Sequence, residues 1–551
     1  MNRYLERIVE NFRRGGEARY CRMVSEVGDE SISWADLEVD CRRFAAQYRA
    51  LEIAPGEVVF IFLKHSRCLY SSFFGTMLAG LVPSFMPCPS AKQDPVRYWH
   101  SHAEVFQRSR PAAVVATADT FQQMHDSGLN LGDARLIDVD RLTQEQADFV
   151  IAPEAEIALL QHSSGTTGLK KGVALTYSTI VKQIESYRHE LSLGDGDVIA
   201  SWLPLYHDMG LIACLVMPTY TATPFAHLDP FYWVSDPETL FLEIEREKAT
   251  LTWLPNFAFD HLTMSCSRTS GRYDLSSMRA FINCSEPCKG LTFDRFASGF
   301  VKSGVTPESL QCCYAMAETV FAVSQTRIGE LVQRISVDPN HLNRGEMIRP
   351  VADGEGHELI TVGKVIPGLS VDIYDEQRRK LAPRMVGEIG ISGNFLFEGY
   401  NKDPERTARS IENDVYFSRD IGFIENNNLY VLGRVDDLII INGRNVYAHE
   451  GEAGLAGISG IKPGRSVATS RFDERIGSEV LILICERNRE AERPVPDIRR
   501  EITDVLFSTL GVTPRRIEIV DEGWLVKTTS GKISRQANLD KLLSMTERQQ
   551  A

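Results

Sequence analysis

The sequence predicts an α/β fold: a large N-terminal domain of layered α/β subdomains carrying a small β-barrel, followed by a small α+β C-terminal domain. Three observations predict it. Short apolar runs such as Val58-Val59-Phe60-Ile61-Phe62 lie beside helical periods through the first two thirds of the chain. From about Leu359 strands alternate with turn residues, and after Gly433 a helix-and-strand texture begins again. The boundaries these changes draw are 1–434, with a barrel-like part at about 359–434, and 435–551.

The elements follow in order. Ser33 is an N-cap for the segment opening Trp34-Ala35-Asp36-Leu37, whose helical period continues through Phe44, Ala45 and Tyr48. Pro55-Gly56 turns the chain into the apolar run at 58–62, which reads as a buried strand. Similar β-rich runs at 112–116, 198–202 and 280–283 each stand beside a helix, so the sheet is expected to be largely parallel, with ligands at the carboxyl ends of its strands. Segments 370–374, 386–392 and 429–432 alternate as antiparallel strands do. Beyond them, 438–441, 480–485 and 516–520 read as strands and 496–510 as an amphipathic helix, with 434–437 as a short hinge.

Composition narrows the function classes. At 551 residues the chain has room for roughly three or four globular units, and 43% apolar, 24% charged and 9% aromatic residues exclude a low-complexity or disordered protein. With 60 basic and 74 acidic residues the net charge is −14, which opposes nucleic acid and anionic lipid as partners. Met1 to Gly16 carries charges at helical spacing and no apolar core, so a secretory leader is not expected and the location reads as cytoplasmic. The apolar stretch from Cys68 to Pro87 is broken by Gly75, Gly80 and Pro83, which suits a buried helix and strand and no membrane span. The eleven cysteines lack zinc spacing, Cys284-x-x-x-Cys288 and Cys312-Cys313 included, and read as buried thiols.

The chemistry concentrates in Ser163-Ser164-Gly165-Thr166-Thr167-Gly168-Leu169-Lys170-Lys171-Gly172, which follows an apolar run. Glycines let backbone N–H groups close on an anion, hydroxyls donate hydrogen bonds, and a lysine neutralises charge, so the segment is expected to bind phosphate. It is not a P-loop, which would need Gly-Lys followed by Ser or Thr; Gly531-Lys532-Ile533-Ser534 has the Gly-Lys pair but Val526 where the first glycine belongs.

This loop resembles the phosphate-binding signature of the adenylate-forming superfamily, which includes acyl-CoA synthetases, adenylation domains and acyl-AMP ligases. Five further segments resemble that family's motifs in its order: Trp202-Leu203-Pro204-Leu205-Tyr206-His207-Asp208, Asn283-Cys284-Ser285-Glu286-Pro287, Tyr314-Ala315-Met316-Ala317-Glu318, Gly433-Arg434-Val435-Asp436-Asp437 and Lys527-Thr528-Thr529-Ser530-Gly531-Lys532. Pro83-Ser84-Phe85-Met86-Pro87, Tyr206-His207-Asp208-Met209-Gly210 and Pro255-Asn256-Phe257-Ala258-Phe259-Asp260 look most like the fatty acyl-AMP ligases, as does the long polar stretch from Arg327 to His357. Four places depart from the pattern: Lys170 stands for an apolar residue, Ala315 for a glycine, Ser418-Arg419 for Thr-Gly before Asp420, and 446–451 is unlike the usual sequence there.

The resemblance implies ATP and Mg²⁺ as cofactors and a role for each matching residue. Ser163, Ser164, Gly165, Thr166, Thr167, Gly168 and Lys171 would hold the β- and γ-phosphates, and Glu318 would hold Mg²⁺. Ser285, Glu286, Pro287, Tyr314, Ala315 and Met316 would line the adenine, with Tyr314 stacked on it. Asp420 would take the ribose hydroxyls with Arg434 nearby, Asp436 would be the hinge, His207 would stand at the acyl pocket, and Lys532 would bridge carboxylate and α-phosphate. The implied activity is conversion of a fatty or similar apolar carboxylic acid to its acyl-adenylate, with transfer to the phosphopantetheine thiol of a separate acyl carrier protein; no Gly-x-Asp-Ser-Leu carrier pattern occurs in this chain. An acyl-CoA synthetase, an amino-acid adenylation enzyme using Asp260, and a non-catalytic nucleotide-binding homologue are the alternatives.

Overall fold

The computed structural model describes residues 2–88, 95–163, 171–269, 271–441, 444–455, 457–473, 475, 478–489, 491–510, 512–527 and 533–550. The first helix of the layered region, Trp34–Ala50, starts where the sequence places it: Ser33 Oγ accepts from the Asp36 N–H and the Asp36 carboxylate accepts from the Ser33 N–H, a complete capping box. Such a cap stabilises a helix by about 1 kcal/mol. The strand Val58–Phe62 then pairs in parallel with Val82–Phe85 and Ala113–Ala116. Arg67–Leu78 is the buried helix expected in the apolar stretch and Val82–Phe85 its strand. Among the described residues no helix is long and apolar enough to cross a membrane.

A nine-stranded sheet forms the second layer. Its middle strands, Leu310–Ala315, Ala280–Asn283, Leu251–Leu254, Ile199–Ser201 and Phe225–Leu228, run parallel, so their carboxyl ends share one edge. The β-rich runs expected at 198–202 and 280–283 are the strands Ile199–Ser201 and Ala280–Asn283. Covered on both faces, such strands are mostly apolar, and Leu251–Leu254 and Ala280–Asn283 are wholly buried, Thr252 and Asn283 included. Behind them Trp253 Nε1 donates to the Tyr187 hydroxyl at 2.9 Å, and that hydroxyl donates to Gln325 Oε1 at 2.9 Å, so these buried polar groups satisfy one another.

The barrel-like part is antiparallel, as expected: Leu369–Tyr374, Gly387–Gly393, Val415–Glu425 and Asn428–Arg434 pair in series. The last two close through Asn426 and Asn427 at φ 51° and 62°, the left-handed two-residue turn that asparagine tolerates and strand twist favours. Outside the barrel-like part, Arg334–Val337 pairs with His357–Ile360 as a separate two-stranded sheet, so β-structure also occurs before Leu359. The polar stretch from Arg327 to His357 hides apolar contacts: Val337 and Ile348 are buried in one cluster with Val386, Ile421 and Phe423. The apolar residues there, Ile335, Val337, Leu342 and Ile348 among them, are irregularly spaced between Gly, Pro, Asn and charged residues and give no sustained period, which is why the sequence reads there as surface.

The turn Val435–Asp437 leads into a region with its own core, built from Ile439, Val446, Leu483, Ile498, Ile502 and Leu506 among others. Its sheet joins Ile461–Asp473, Ser478–Arg487 and Arg516–Val520, packed by the helix Val495–Leu510. The helix Arg535–Gln550 covers the other face through Leu539 and Leu542. The cysteines are free, eight buried and three partly buried, and no His/Cys/Asp/Glu group that could hold a metal occurs among the described residues.

Candidate active site

The expected phosphate loop is the connection of an antiparallel pair, Ile157–Ser163 with Lys171–Thr176, in which Ser163 and Lys171 face each other. Ser164, Gly165, Thr166, Thr167 and Gly168 lie outside the described residues, as does Lys532; Ser163 is described in its backbone only. The stem is tightly packed: Ser84 and His162 Nδ1 are 2.7 Å apart, and a Cβ on Gly172 would stand 3.1 Å from His162 Nε2. Lys171 leaves this stem at the phosphate-loop side.

Glu318 approaches Lys171 from a turn, Ala317–Thr319, that ends on strained backbone. Val320 is fully buried with φ at 66°, a region β-branched residues avoid. Three hydrogen bonds hold the turn there: Met316 N–H to Phe321 O (2.9 Å), Phe397 N–H to Glu318 O (2.9 Å) and Thr319 Oγ1 to Phe321 O (3.0 Å). The short strand Gly399–Tyr400 pairs with Val173 and Ala174, which brings the Tyr400 hydroxyl to Glu318 Oε1 at 2.8 Å and its ring to 5.2 Å from the Lys171 ammonium. Burial lowers the Lys171 pKa; Glu318 opposes that shift, and Arg434, Arg406 and Arg419 add to it. Each guanidinium has a carboxylate partner, Arg434 with Asp420, Arg406 with Asp403 and Arg419 with Asp436, so the site is a set of fixed ion pairs around the Lys171 ammonium and Glu318.

A second group forms on the barrel side. Between the pairs Glu388–Ile421 and Gly390–Phe417, one residue on the first strand faces Ser418, Arg419 and Asp420 on the other, a bulge with Arg419 at φ 63°. The bulge aims Asp420 inward. Its N–H donates to Ser418 Oγ (3.0 Å), Tyr314 donates its hydroxyl to Asp420 Oδ2 (2.5 Å), and Arg434 Nε stands 3.2 Å from Oδ1. Asp420 and Arg434 are register partners across two neighbouring strands. Burial raises the Asp420 pKa while Arg434 and the Tyr314 hydroxyl work against it. The Arg434 pKa is raised by the Asp420 charge, so the guanidinium stays ionised. Glu318 acts electrostatically on both Asp420 and Arg434, so the two groups are one site.

The adenine-side residues lie at the carboxyl end of Ala280–Asn283 and its neighbours. Ser285 has φ at 70° and its hydroxyl reaches the Met209 sulfur at 3.9 Å; Glu286 Oε2 accepts from the Phe257 N–H at 3.0 Å, and Pro287 follows in the same loop. Ala315 ends the strand that carries Tyr314, and Met316 opens the strained turn. His207 stands after Ile199–Ser201, its ring 5.1 Å from that of Tyr206, whose carbonyl accepts from Gln161 Nε2 at 2.9 Å. Beyond it Trp202 and Trp233 stack at 3.7 Å, with Phe257 6.0 Å from Trp202, an aromatic wall at the same sheet edge.

Asp436, expected at the hinge, lies in the turn Val435–Asp437 and pairs with Arg419. Tyr400 and Arg419 are the residues the sequence analysis did not assign. Tyr400 could have been noticed as an aromatic following a glycine in a short apolar run, Phe397-Glu398-Gly399-Tyr400, and Arg419 was visible only as a departure from a motif.

The sequence of the AMP-binding enzyme family matches residues 11–401. The long-chain-fatty-acid–AMP ligase FadD32 of Mycolicibacterium smegmatis is 29% identical over 561 aligned positions, covering 92% of this chain and 88% of that one. The medium-chain-fatty-acid–[acyl-carrier-protein] ligase JamA of Moorena producens is 26% identical, with 94% and 90% covered. A chain from the structural study of fatty acyl-adenylate ligases of E. coli and L. pneumophila superposes with a TM-score of 0.88 at 22% identity, over 99% of this chain and 98% of that one, and so shares its fold. With the family match spanning well over half the sequence, and the paired Tyr314–Asp420–Arg434 and Lys171–Tyr400–Glu318 groups inside or beside it, this chain belongs to the AMP-binding enzyme family.

Proposed function

We propose that this protein joins a fatty or similar apolar carboxylic acid to AMP and then delivers the acyl group to the phosphopantetheine thiol of a separate acyl carrier protein. The observation that carries the reading is the convergence of the Lys171–Tyr400–Glu318 and Tyr314–Asp420–Arg434 groups beside an aromatic wall at the carboxyl edge of a parallel sheet. The names of the two relatives, one an acyl-AMP ligase and one an acyl-carrier-protein ligase, support the branch. The reading carries a cytoplasmic location, where ATP and carrier are at hand.

In the first step a carboxylate oxygen of the acid bonds to the α-phosphorus of ATP while the bond to the pyrophosphate oxygen breaks. In the second, the thiol sulfur bonds to the acyl carbon, AMP departs and the thiol proton is released. Both first-step reactants are anions, so fixed cations must offset their repulsion. Lys171 and the phosphate loop would face the β- and γ-phosphates, Asp420 would accept from the ribose hydroxyls, and Tyr314 would lie along the adenine. Arg434 favours the ionised form of Asp420 for that task, against the burial that raises its pKa. Glu318 fits a Mg²⁺ ion that is otherwise held by phosphate oxygens, since that ion commonly takes only one or two protein carboxylates. When bound, it would neutralise charge on the leaving pyrophosphate; Tyr400 orients the carboxylate that would hold it.

Lys532 lies on the segment between Lys527 and Ile533, which pair as an isolated bridge. Just beyond, Arg535 pairs with Asp437 at 2.9 Å and with Glu452 at 2.8 Å, tying the start of the last helix to the linker. Domain division at 434–435 with Asp436 as pivot belongs to this reading. Asp260 does not favour an amino-acid substrate: Lys289 and Arg295 already act on its carboxylate, and burial raises its pKa.

The test is incubation with ATP, a mixed pool of carboxylic acids, and either CoA or a panel of holo acyl carrier proteins, read by mass spectrometry. Acyl-adenylates of apolar acids and acylated carriers are expected. Efficient acyl-CoA formation would move the assignment to the acyl-CoA synthetases, and absence of acid-dependent pyrophosphate release would remove the enzyme altogether.

A further inference from the structure

The hinge turn is held by two arginines from opposite sides: Arg535 of the last helix pairs with Asp437, and Arg419 of the barrel pairs with Asp436. Arg419 occupies the left-handed position of the bulge, at φ 63°, where an unbranched, non-glycine residue is uncommon and a long cationic one has no local reason to be. Its N–H donates to Glu388 Oε1 at 3.0 Å, which fixes the backbone. Its side chain then makes a two-pronged contact with Asp436: Nε to Oδ2 at 3.2 Å and the terminal nitrogen to Oδ1 at 2.5 Å. Parallel donation from one guanidinium to both oxygens of one carboxylate is the most directional ion pair proteins make. Burial pushes the Asp436 pKa up, but Arg419, Arg434 and Lys171 together hold it below the ordinary carboxylate value, so the pair is charged across the working pH range.

The placement matters because of what lies on each side. Arg419 is anchored in the barrel strand Val415–Glu425, next to Asp420. Asp436 is the middle residue of the three-residue turn that joins the barrel to the C-terminal core. Within the turn Leu438 N–H donates to Val435 O, Val435 and Leu438 pack against the apolar cluster of the barrel, and Asp437 pairs with Arg535, so Arg419 is the ionic tie that runs from the barrel to the turn. Glycine at position 419 would supply the left-handed backbone with no strain and no contact, and Arg419 supplies a contact in exchange for strain.

We infer that Arg419 is a positioning residue that latches the linker: by gripping Asp436 it holds the C-terminal domain in the orientation of this structure, and the pair must part before that domain can turn. The role in the reaction cycle rests on the two-step function proposed above; the latch itself does not. Removing either partner frees the same restraint, so the two substitutions must not add.

Hydrogen–deuterium exchange of the full-length protein, followed by mass spectrometry, tests this. Arg419→Asn is the informative variant, because asparagine accepts left-handed backbone better than arginine, and any loosening then comes from the lost pair. Exchange at 435–438 should rise about three- to tenfold in Arg419→Asn, rise equally in Asp436→Asn, and rise no further in the double variant. In the parent protein the same amides should exchange faster between 50 and 500 mM NaCl, since a partly exposed pair is screened, and in the variants they should not respond. Exchange within 428–433 serves as the control for general unfolding and should stay unchanged. Parent-like protection of 435–438 in either single variant, or full addition in the double, overturns the latch. Neither result depends on adenylate formation, whose loss would speak against the proposed function alone.

Discussion

Tyr400 donates its hydroxyl to Glu318 at 2.8 Å, from a strand that pairs with the stem of the phosphate loop. Burial and the Glu318 charge raise the phenol's pKa, so Tyr400 stays a donor at any working pH. Tyr400→Phe removes that donor and leaves a buried carboxylate oxygen unpaired. A hydrogen bond to a charged group is worth about 1.5–3 kcal/mol, so kcat/KM for MgATP in acid-dependent pyrophosphate exchange should fall ~10–100-fold, with a fall in folding stability of no more than that size. An unaltered value would show that Glu318 is positioned by other contacts.

Asp420→Asn tests the other half of the site. The amide keeps the shape but loses the charge that pairs with Arg434 and receives the Tyr314 hydroxyl. If Asp420 holds the ribose equally in ground and transition states, KM for ATP should rise about tenfold or more while kcat changes little. Steady-state kinetics separate this from a fall in kcat alone, which would place Asp420 in the chemistry and not in binding.

Lys532→Ala should lower adenylate formation by about 10²–10³, the scale seen when one charge-stabilising donor is lost. ATP binding, followed by calorimetry, should persist, and transfer from supplied acyl-adenylate to pantetheine should continue. Undiminished pyrophosphate exchange would exclude the lysine as the bridging cation.

Glu450 sets a pH dependence. Burial raises its pKa to about 7, against an ordinary 4.5, and it stands 3.5 Å from His357 of the barrel side, whose own pKa burial lowers. The folded state therefore holds this proton more tightly than the unfolded one, and stability falls as pH rises from about 4.5 to about 7, with a ceiling of about 3 kcal/mol for this group. Glu450→Gln should abolish that loss. Urea unfolding at pH 5 and pH 8 measures it: the variant should gain on the parent protein only at the higher pH, and a pH-independent difference would refute the assignment.

Much of the fold was legible because the signals are local. The Ser33 cap, the apolar strand Val58–Phe62 and the helix ending at Leu510 appear where periodicity and capping chemistry place them, since each depends on neighbours a few residues away. The hairpin Arg334–Val337 with His357–Ile360 was missed for the opposite reason, because Val337 and Ile348 are buried by contacts with distant strands.

The candidate site divides in the same way. The amino-acid sequence alone determined the class of fold, the glycine-and-hydroxyl loop, and the identities of Tyr314, Glu318, Asp420 and Arg434. Only the tertiary structure decided their pairings. Tyr314 and Asp420 are 106 positions apart, and Glu318 and Tyr400 are 82, so a sheet edge and a barrel must pack before either hydrogen bond exists. Arg419 shows the limit most plainly: as a letter it broke a motif, and only a bulge with left-handed backbone turned it toward Asp436. Hydrogen bonds require atoms within about 3 Å at set angles, and chain-local preferences carry no information about which distant segment will supply the partner.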